Sequence, residues 1–345
     1  MTPRSASDRT PRSSRAGAVR RARSRRPAPR SVRGWPAPEG DPLIGRSRAI
    51  TRVLEQIQRI ASTHAAVLIE GEPGTGKGAA ARAIHDRGSR HAEAFVALDG
   101  AAIEAAAQEE VLFGTQAGGR AAPGAVERAD GGTLYLAEVG ALSHAVQVRL
   151  LRLLQERAFE RIGGERTLHA DVRLIAGTRQ DLAVAAREGR FRDDLLARIA
   201  AARITMPTLR ERVEDVPALV ERFLREANRR HRRGVKRVTR GVLERLQRHP
   251  WPGNLRELGD TIEAMLVAAP GGRPLDLADL PQPLRADGAG PESVRLAPGM
   301  TVEEAVRVLI VATLEHVGQD RRRAAAMLGI GLRTLYRKIR QYGIG

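Results

Sequence analysis

Seven residues, Gly71 to Lys77 (GEPGTGK), constrain this chain more than any other stretch. They fit the pattern G-x-x-x-x-G-K. They follow an apolar run at 65–70 (AAVLIE) that reads as a buried strand, and they precede a helix expected over 76–87. That context gives the pattern its meaning. Small residues let backbone N–H groups close around phosphate oxygens, and the helix N-terminus adds partial positive charge. Gly71, Glu72, Gly74, Thr75, Gly76, Lys77 and Gly78 are therefore candidate nucleotide contacts, with Lys77 reaching the β- and γ-phosphates. The other reading is a Gly-rich turn without a ligand. Gly78 stands where the general motif wants a hydroxyl for magnesium.

Further strands are expected at 95–98 (FVAL), 133–136 (TLYL) and 172–176 (VRLIA), separated by helical patterns such as 145–157. This alternation implies an α/β fold, a parallel sheet with helices on both faces. After Pro207 the strand signals stop. Residues 213–230, 240–249 and 254–268 read as three helices of a small all-α unit. Residues 285–299 are rich in Gly, Pro and Ala and read as a linker. Helix returns over 300–345, with apolar spacing at Val302, Ala305, Val306, Leu309 and Ile310. The expected units are thus a tail at 1–40, a nucleotide-binding subdomain at 41–208, a helical lid at 209–284, the linker, and a DNA-binding domain at 300–345.

The net charge of +18 favours a polyanionic partner, most simply nucleic acid; the alternative reading is that part of this excess reflects Arg-rich codon usage. Residues 1–40 hold eleven Arg against Asp8 and Glu39 and almost no apolar residues, so disorder is expected there. Three readings stand for this segment: a basic arm on DNA phosphates, a solvated tail, or a start codon placed too far upstream. The chain has no cysteine, which excludes disulfides, thiolate metal sites and Cys nucleophiles. No apolar run is long enough to span a bilayer and none resembles a secretory signal, so no membrane partner is expected. The expected compartment is the cytoplasm, on the nucleoid through DNA binding.

Near the C-terminus, 321–330 (RRRAAAMLGI) followed by 331–340 (GLRTLYRKIR) has a helix-turn-helix shape. Ala324, Ala325 and Leu328 are spaced to pack one helix on the next, and Gly329 permits the turn. Leu335 and Ile339 form the buried side of the second helix. Arg333, Thr334, Arg337 and Lys338 are left facing outward, able to reach bases and phosphates in a major groove, with Arg323 as a further contact. A basic hairpin used for protein contact is the alternative.

From here the residues resemble a known family, the bacterial enhancer-binding proteins, AAA+ activators of sigma-54 RNA polymerase. The matches include LIGR at 43–46, GEPGTGK at 71–77, RAIH at 82–85, LFG at 112–114 and ADGGTL at 129–134. They continue with LLRLLQE at 150–156, FRDDL at 191–195, LRER at 209–212 and WPGNLREL at 251–258, and with LGI and TLYRK in a Fis-type helix-turn-helix. The resemblance implies an AAA+ P-loop sheet, an all-α lid and ATP as cofactor. It implies that Leu43, Ile44 and Gly45 lie beside the adenine and that Arg256 is the lid arginine. It implies that Arg192 and Arg198 are arginine fingers reaching a neighbouring subunit's γ-phosphate, hence a ring, usually a hexamer. The C-terminal domain implies a homodimer on two-fold-related half-sites of a double-stranded DNA operator or enhancer, with RNA polymerase as the further partner.

The departures are as informative. The family's GAFTGA loop, which contacts sigma-54, has no counterpart in the fourteen residues 115–128 (TQAGGRAAPGAVER). Ala137 stands where the family has the magnesium-site Asp, leaving Glu138 as the water-orienting carboxylate. Asp99 replaces an Asn that partners the catalytic Glu, and Arg179 replaces the sensor Asn. No receiver or small-molecule sensing domain is recognisable before Asp41. A methyl group cannot hold a hydrated cation, so Mg2+ is expected to bind weakly at best. Three functions follow as alternatives. The first is a DNA-binding regulator that binds ATP, hydrolyses little and acts without sigma-54. The second is an active ATPase that remodels sigma-54 polymerase through a divergent loop. The third is a decaying gene product that only binds DNA.

Overall fold

The computed structural model describes residues 43–117, 120–285, 300–318 and 320–343. The Arg-rich stretch at 1–40 and all of the expected linker but Arg285 lie outside them. Five parallel strands form the main sheet: β1 (Val67–Glu70), β2 (Phe95–Asp99), β3 (Thr133–Ala137), β4 (Arg173–Thr178) and β5 (Ala202–Thr205). Their order is β2-β3-β4-β1-β5.

Side chains alternate across a strand, and here the alternation builds two cores. Leu68, Leu134, Leu136 and Leu174 point to one face, where α3 (His144–Glu156) and α4 (Asp193–Ile199) cover them. Val67, Ile69, Tyr135 and Ile175 point to the other, beneath α1 (Arg48–Ala61) and α2 (Lys77–Asp86). Both faces are buried, as a parallel sheet requires. The carboxyl ends of the strands are left as the open crevice, and the phosphate loop joins β1 to α2 there.

The elements match the sequence reading in kind, with shifts at their ends. The first strand starts at Val67 rather than residue 65, and β3 runs on to Ala137. Strand β5 and two antiparallel hairpins, Thr115–Ala117 with Arg120–Ala122 and Ala158–Glu160 with Thr167–His169, were not anticipated. The hairpin segments are three residues each, too short to show a period.

The lid comprises α5 (Val216–His231), α6 (Arg240–Arg248) and α7 (Asn254–Ala268) around Trp251, whose indole N–H donates to Leu246 O at 2.7 Å. Helix α5 begins three residues later than expected, because Val213–Asp215 forms a 3-10 turn and Pro217 occupies the first helical turn. The C-terminal unit packs α8 (Val302–His316), α9 (Arg321–Met327) and α10 (Leu332–Tyr342) around Ile310, Leu314, Ala324, Leu335 and Ile339. Gly329 takes φ +63° between the last two helices, a left-handed conformation that glycine adopts without a Cβ penalty. No helix among the described residues is long and apolar enough to cross a membrane.

One buried carboxylate joins the lid to the segment that leads into α1. Asp215 accepts from Arg46 N at 2.6 Å, Ser47 N at 2.9 Å and Ser47 Oγ at 2.6 Å. Ser47 also caps α1 by accepting from Ile50 N. Asp215→Ala would strand these donors in a dry site. The expected loss is about 3 kcal/mol of stability, read as a lower urea midpoint in the fluorescence of Trp251.

Candidate functional site

The phosphate loop leaves β1 with Gly71 N donating to Thr178 O of β4 at 3.2 Å. Its tightest point is Gly74, at φ +78°, where a Cβ would lie 2.1 Å from the carbonyl oxygen of Gly253 in the lid. Gly76 N-caps α2 in a left-handed conformation, so the first N–H groups of that helix face the loop without a capping side chain. The buried Thr75 donates its hydroxyl to Glu72 O at 2.8 Å. Lys77 folds over the loop and donates to Gly71 O at 2.8 Å and Glu72 O at 3.2 Å. Burial pushes the Lys77 ammonium below its usual pKa. The nearby Glu138 opposes that shift, and the like charges of Arg179 and Arg256 add to it.

A cavity of about 590 Å³ opens over this loop between sheet and lid. Leu43 and Ile44 line one end, Gly76 to Ala79 its floor, and Arg256 and Phe223 the lid side. Gly45 instead packs against the Asp215 carboxylate. Asp99, Ala137, Glu138 and Arg179 line the remaining wall.

That wall is set by the strand register. Ala137 ends β3 directly opposite Asp99 of β2. Asp99 uses one carboxylate oxygen to accept from Ala101 N at 3.0 Å. Glu138 follows at φ +50°, an uncommon conformation for a non-glycine residue. Its carboxylate is bracketed by cations. Oε1 lies 3.6 Å from Lys77 Nζ, while Oε2 accepts from Arg179 N at 3.3 Å and lies 3.8 Å from Arg179 Nε.

The lid is latched to the loop by contacts that the sequence reading did not assign. Glu72, expected to face nucleotide, instead turns to the lid. Its Oε2 accepts from Arg210 Nη1 at 2.9 Å and Asn254 Nδ2 at 3.1 Å, and its Oε1 from Arg210 Nη2 at 2.5 Å. Asn254 also donates to Pro73 O at 3.1 Å and accepts from Leu209 N at 2.8 Å. The buried Arg212 donates to Thr75 O at 3.1 Å, and Leu255 N donates to Gly74 O at 3.0 Å. The LRER and WPGNLREL matches were the available signal for these residues, since both motifs end on the loop.

Arg192 N-caps α4, Arg198 lies in its last turn, and neither lines the cavity of its own chain. Arg192 forms a two-pronged pair with Asp194, at 2.9 and 2.5 Å, and this pair holds the Asp194 carboxyl below its usual pKa. Arg198 donates to Leu154 O at 3.0 Å. On α10, Arg333 and Arg337 are exposed, Thr334 and Lys338 half-buried, and the Lys338 ammonium donates to Tyr342 OH at 3.3 Å. Arg323 is exposed on α9. Tyr336 joins this surface, 46% exposed with the Arg321 guanidinium 5.3 Å from its ring centre. The sequence reading assigned it no role beyond its place in the TLYRK match.

Three families of known domains match in series. The sigma-54 interaction domain matches residues 43–205, the AAA+ ATPase lid domain 210–295, and the Fis family of bacterial regulatory proteins 301–342. The transcriptional regulatory protein ZraR of Salmonella typhimurium is 40% identical over 306 residues, covering 86% of this chain and 68% of its own. The C4-dicarboxylate transport transcriptional regulatory protein DctD of Pseudomonas aeruginosa is 40% identical over 307 residues, covering 88% of this chain and 64% of its own. The crystal structure of NtrX from Brucella abortus in complex with ATP is similar at a TM-score of 0.67 and 32% identity, over 88% of this chain and 70% of that one.

The latch has a pH signature. Arg210 and Asn254 hold the Glu72 carboxyl down at about 2, against its ordinary 4.5. The charged form is the one the fold favours, so the latch contributes fully above pH 4.5 and loses its contribution as pH falls toward 2. Glu72→Gln is therefore expected to lower the melting temperature at pH 7, with the gap from the unchanged chain closing over that acid range.

Proposed function

Because the chain belongs to the bacterial enhancer-binding proteins, the sigma-54-interaction AAA+ regulators with a Fis-type helix-turn-helix, we propose that it is a sequence-specific DNA-binding transcription regulator that binds ATP, hydrolyses it weakly or not at all, and acts without sigma-54. The observation that carries this reading is the pairing of a complete phosphate loop with Ala137 at the end of β3. The loop, Lys77 and the lid arginine Arg256 are in place to hold a nucleotide. The groups that would run the hydrolysis are not.

Magnesium fits this site poorly. The strand-end position offers a methyl group, the residue after Lys77 offers no hydroxyl, and Glu138 already faces two cations. Mg2+ demands near-octahedral oxygen ligation, usually with one or two carboxylates beside the phosphates. Water activation suffers as well, because the Glu138 carboxylate is turned to Lys77 and Arg179 rather than left free to face a water. The segment where relatives carry a sigma-54 contact loop is here the short hairpin Thr115–Ala117 with Arg120–Ala122. That supports regulation as an activator with the main polymerase or as a repressor.

Assembly follows the same logic. Arg192 and Arg198 stand away from their own cavity, as residues that serve a neighbouring subunit of a ring would. Helix α8 exposes Val302 (80%) and Leu309 (45%) on one side, an apolar strip suited to a homodimer through the C-terminal domain. Such a dimer would place two copies of α10 on the half-sites of a double-stranded operator or enhancer.

Two measurements test this. Purified protein with operator DNA is expected to release phosphate no faster than its Lys77→Ala variant, while Lys77→Ala loses ATP binding. Turnover that vanishes in Lys77→Ala would favour the working sigma-54 motor instead. Separately, Arg333→Ala and Arg337→Ala are each expected to weaken operator binding by about 1–3 kcal/mol, with a lower salt slope wherever a phosphate contact is lost. Unchanged affinity in an electrophoretic shift assay would remove α10 as the recognition helix.

A further inference from the structure

We propose that this site binds ATP without a divalent cation, and that the Arg179 guanidinium supplies the positive charge a metal would bring to the phosphates. The proposal rests on the nucleotide-binding reading above. Its geometry comes from the sheet. Strand β4 lies between β1, which delivers the phosphate loop, and β3, which delivers Ala137 and Glu138. Thr178 is paired with Glu70, and its carbonyl accepts from Gly71 N, so Arg179 leaves the strand end alongside the first residue of the loop. On its other side Arg179 meets Glu138 Oε2, at 3.3 Å from its backbone N and 3.8 Å from its Nε. The side chain therefore emerges between the cradle and the acidic wall.

The surrounding charge agrees with this placement. Lys77, Arg179 and Arg256 all line the cavity, and the last two are close enough to disfavour the Lys77 ammonium. Among the described residues, Arg256 has no carboxylate partner. The Arg179 side chain is 56% exposed and its hold on Glu138 is single and long, so its guanidinium keeps most of its five donors available. An arginine offers paired N–H groups to phosphate oxygens and stays charged at any relevant pH, which suits it to an anion that arrives without its cation. Asp99, the other carboxylate of the wall, lies across from Ala137 and is the residue a metal would have to use instead.

Isothermal titration of ATP into the full chain, in MgCl2 and in EDTA, decides the matter. The expected affinities differ by less than about threefold, and Arg179→Ala loses at least about tenfold in EDTA while Arg179→Lys retains more. Circular dichroism is expected to stay unchanged in both variants, since the side chain is exposed. ATP binding at least about tenfold tighter with Mg2+ would overturn the proposal, as would an Arg179→Ala variant that binds as tightly as the unchanged chain. Loss of the Mg2+ enhancement in Asp99→Asn would then assign the metal to Asp99. Folded protein that binds ATP in neither buffer would overturn the nucleotide-binding reading and this proposal together. Binding in MgCl2 alone would overturn this proposal and leave that reading standing.

Discussion

The carboxylate of Glu72 sits inside the phosphate loop yet spends its oxygens on the lid, on Arg210 and Asn254. Around it Arg212 donates to Thr75 O and Leu255 N to Gly74 O, so four consecutive loop residues, 72–75, touch the lid through their own atoms or through Asn254. A loop that must point several N–H groups at one anion loses little entropy on binding if it is already held. Gly74 shows how close the two parts come, since only a residue without a side chain fits against Gly253 O. The cavity, the position of Arg256 and the orientation of Lys77 all depend on this contact.

The catalytic wall shows the opposite economy. With a methyl group at Ala137, Glu138 is the carboxylate set between the cations, one oxygen toward Lys77 and one toward Arg179. The same pair steadies Glu138 between the phosphate loop and the end of β4. The proposed reading of a regulator that holds nucleotide and hydrolyses it weakly rests on this arrangement.

Much of this was legible in the sequence because it rests on local patterns. The loop 71–77 between an apolar run and a helix, the strand candidate 133–136, and the apolar spacing of Val302 to Ile310 each specify an element without long-range help. The replacement of a carboxylate by Ala137 was equally visible. What escaped was set by tertiary contact. Glu72 read as a phosphate-loop residue, and nothing local says that Arg210, 138 residues away, claims it. Asp215 read as a helix residue rather than an acceptor for Ser47. Arg173, inside a predicted strand, is buried and donates to Ala61 O and Ile60 O at the end of α1, a role that strand periodicity does not encode. Tyr336, given no role in the sequence reading, is exposed beside Arg321. The short hairpins at 115–122 and 158–169 have too few residues for any period to emerge.

Asp215 carries a mechanical corollary. It belongs to the lid's first turn, but it grips Arg46 and Ser47 by their backbone, and Leu43 and Ile44 a few residues earlier form one end of the cavity. The residue that precedes α5 is therefore also the anchor of the opposite wall. A displacement of α5 would drag 43–47 with it, so the mouth of the cavity would widen at both ends at once, like a purse whose two sides share a single drawstring.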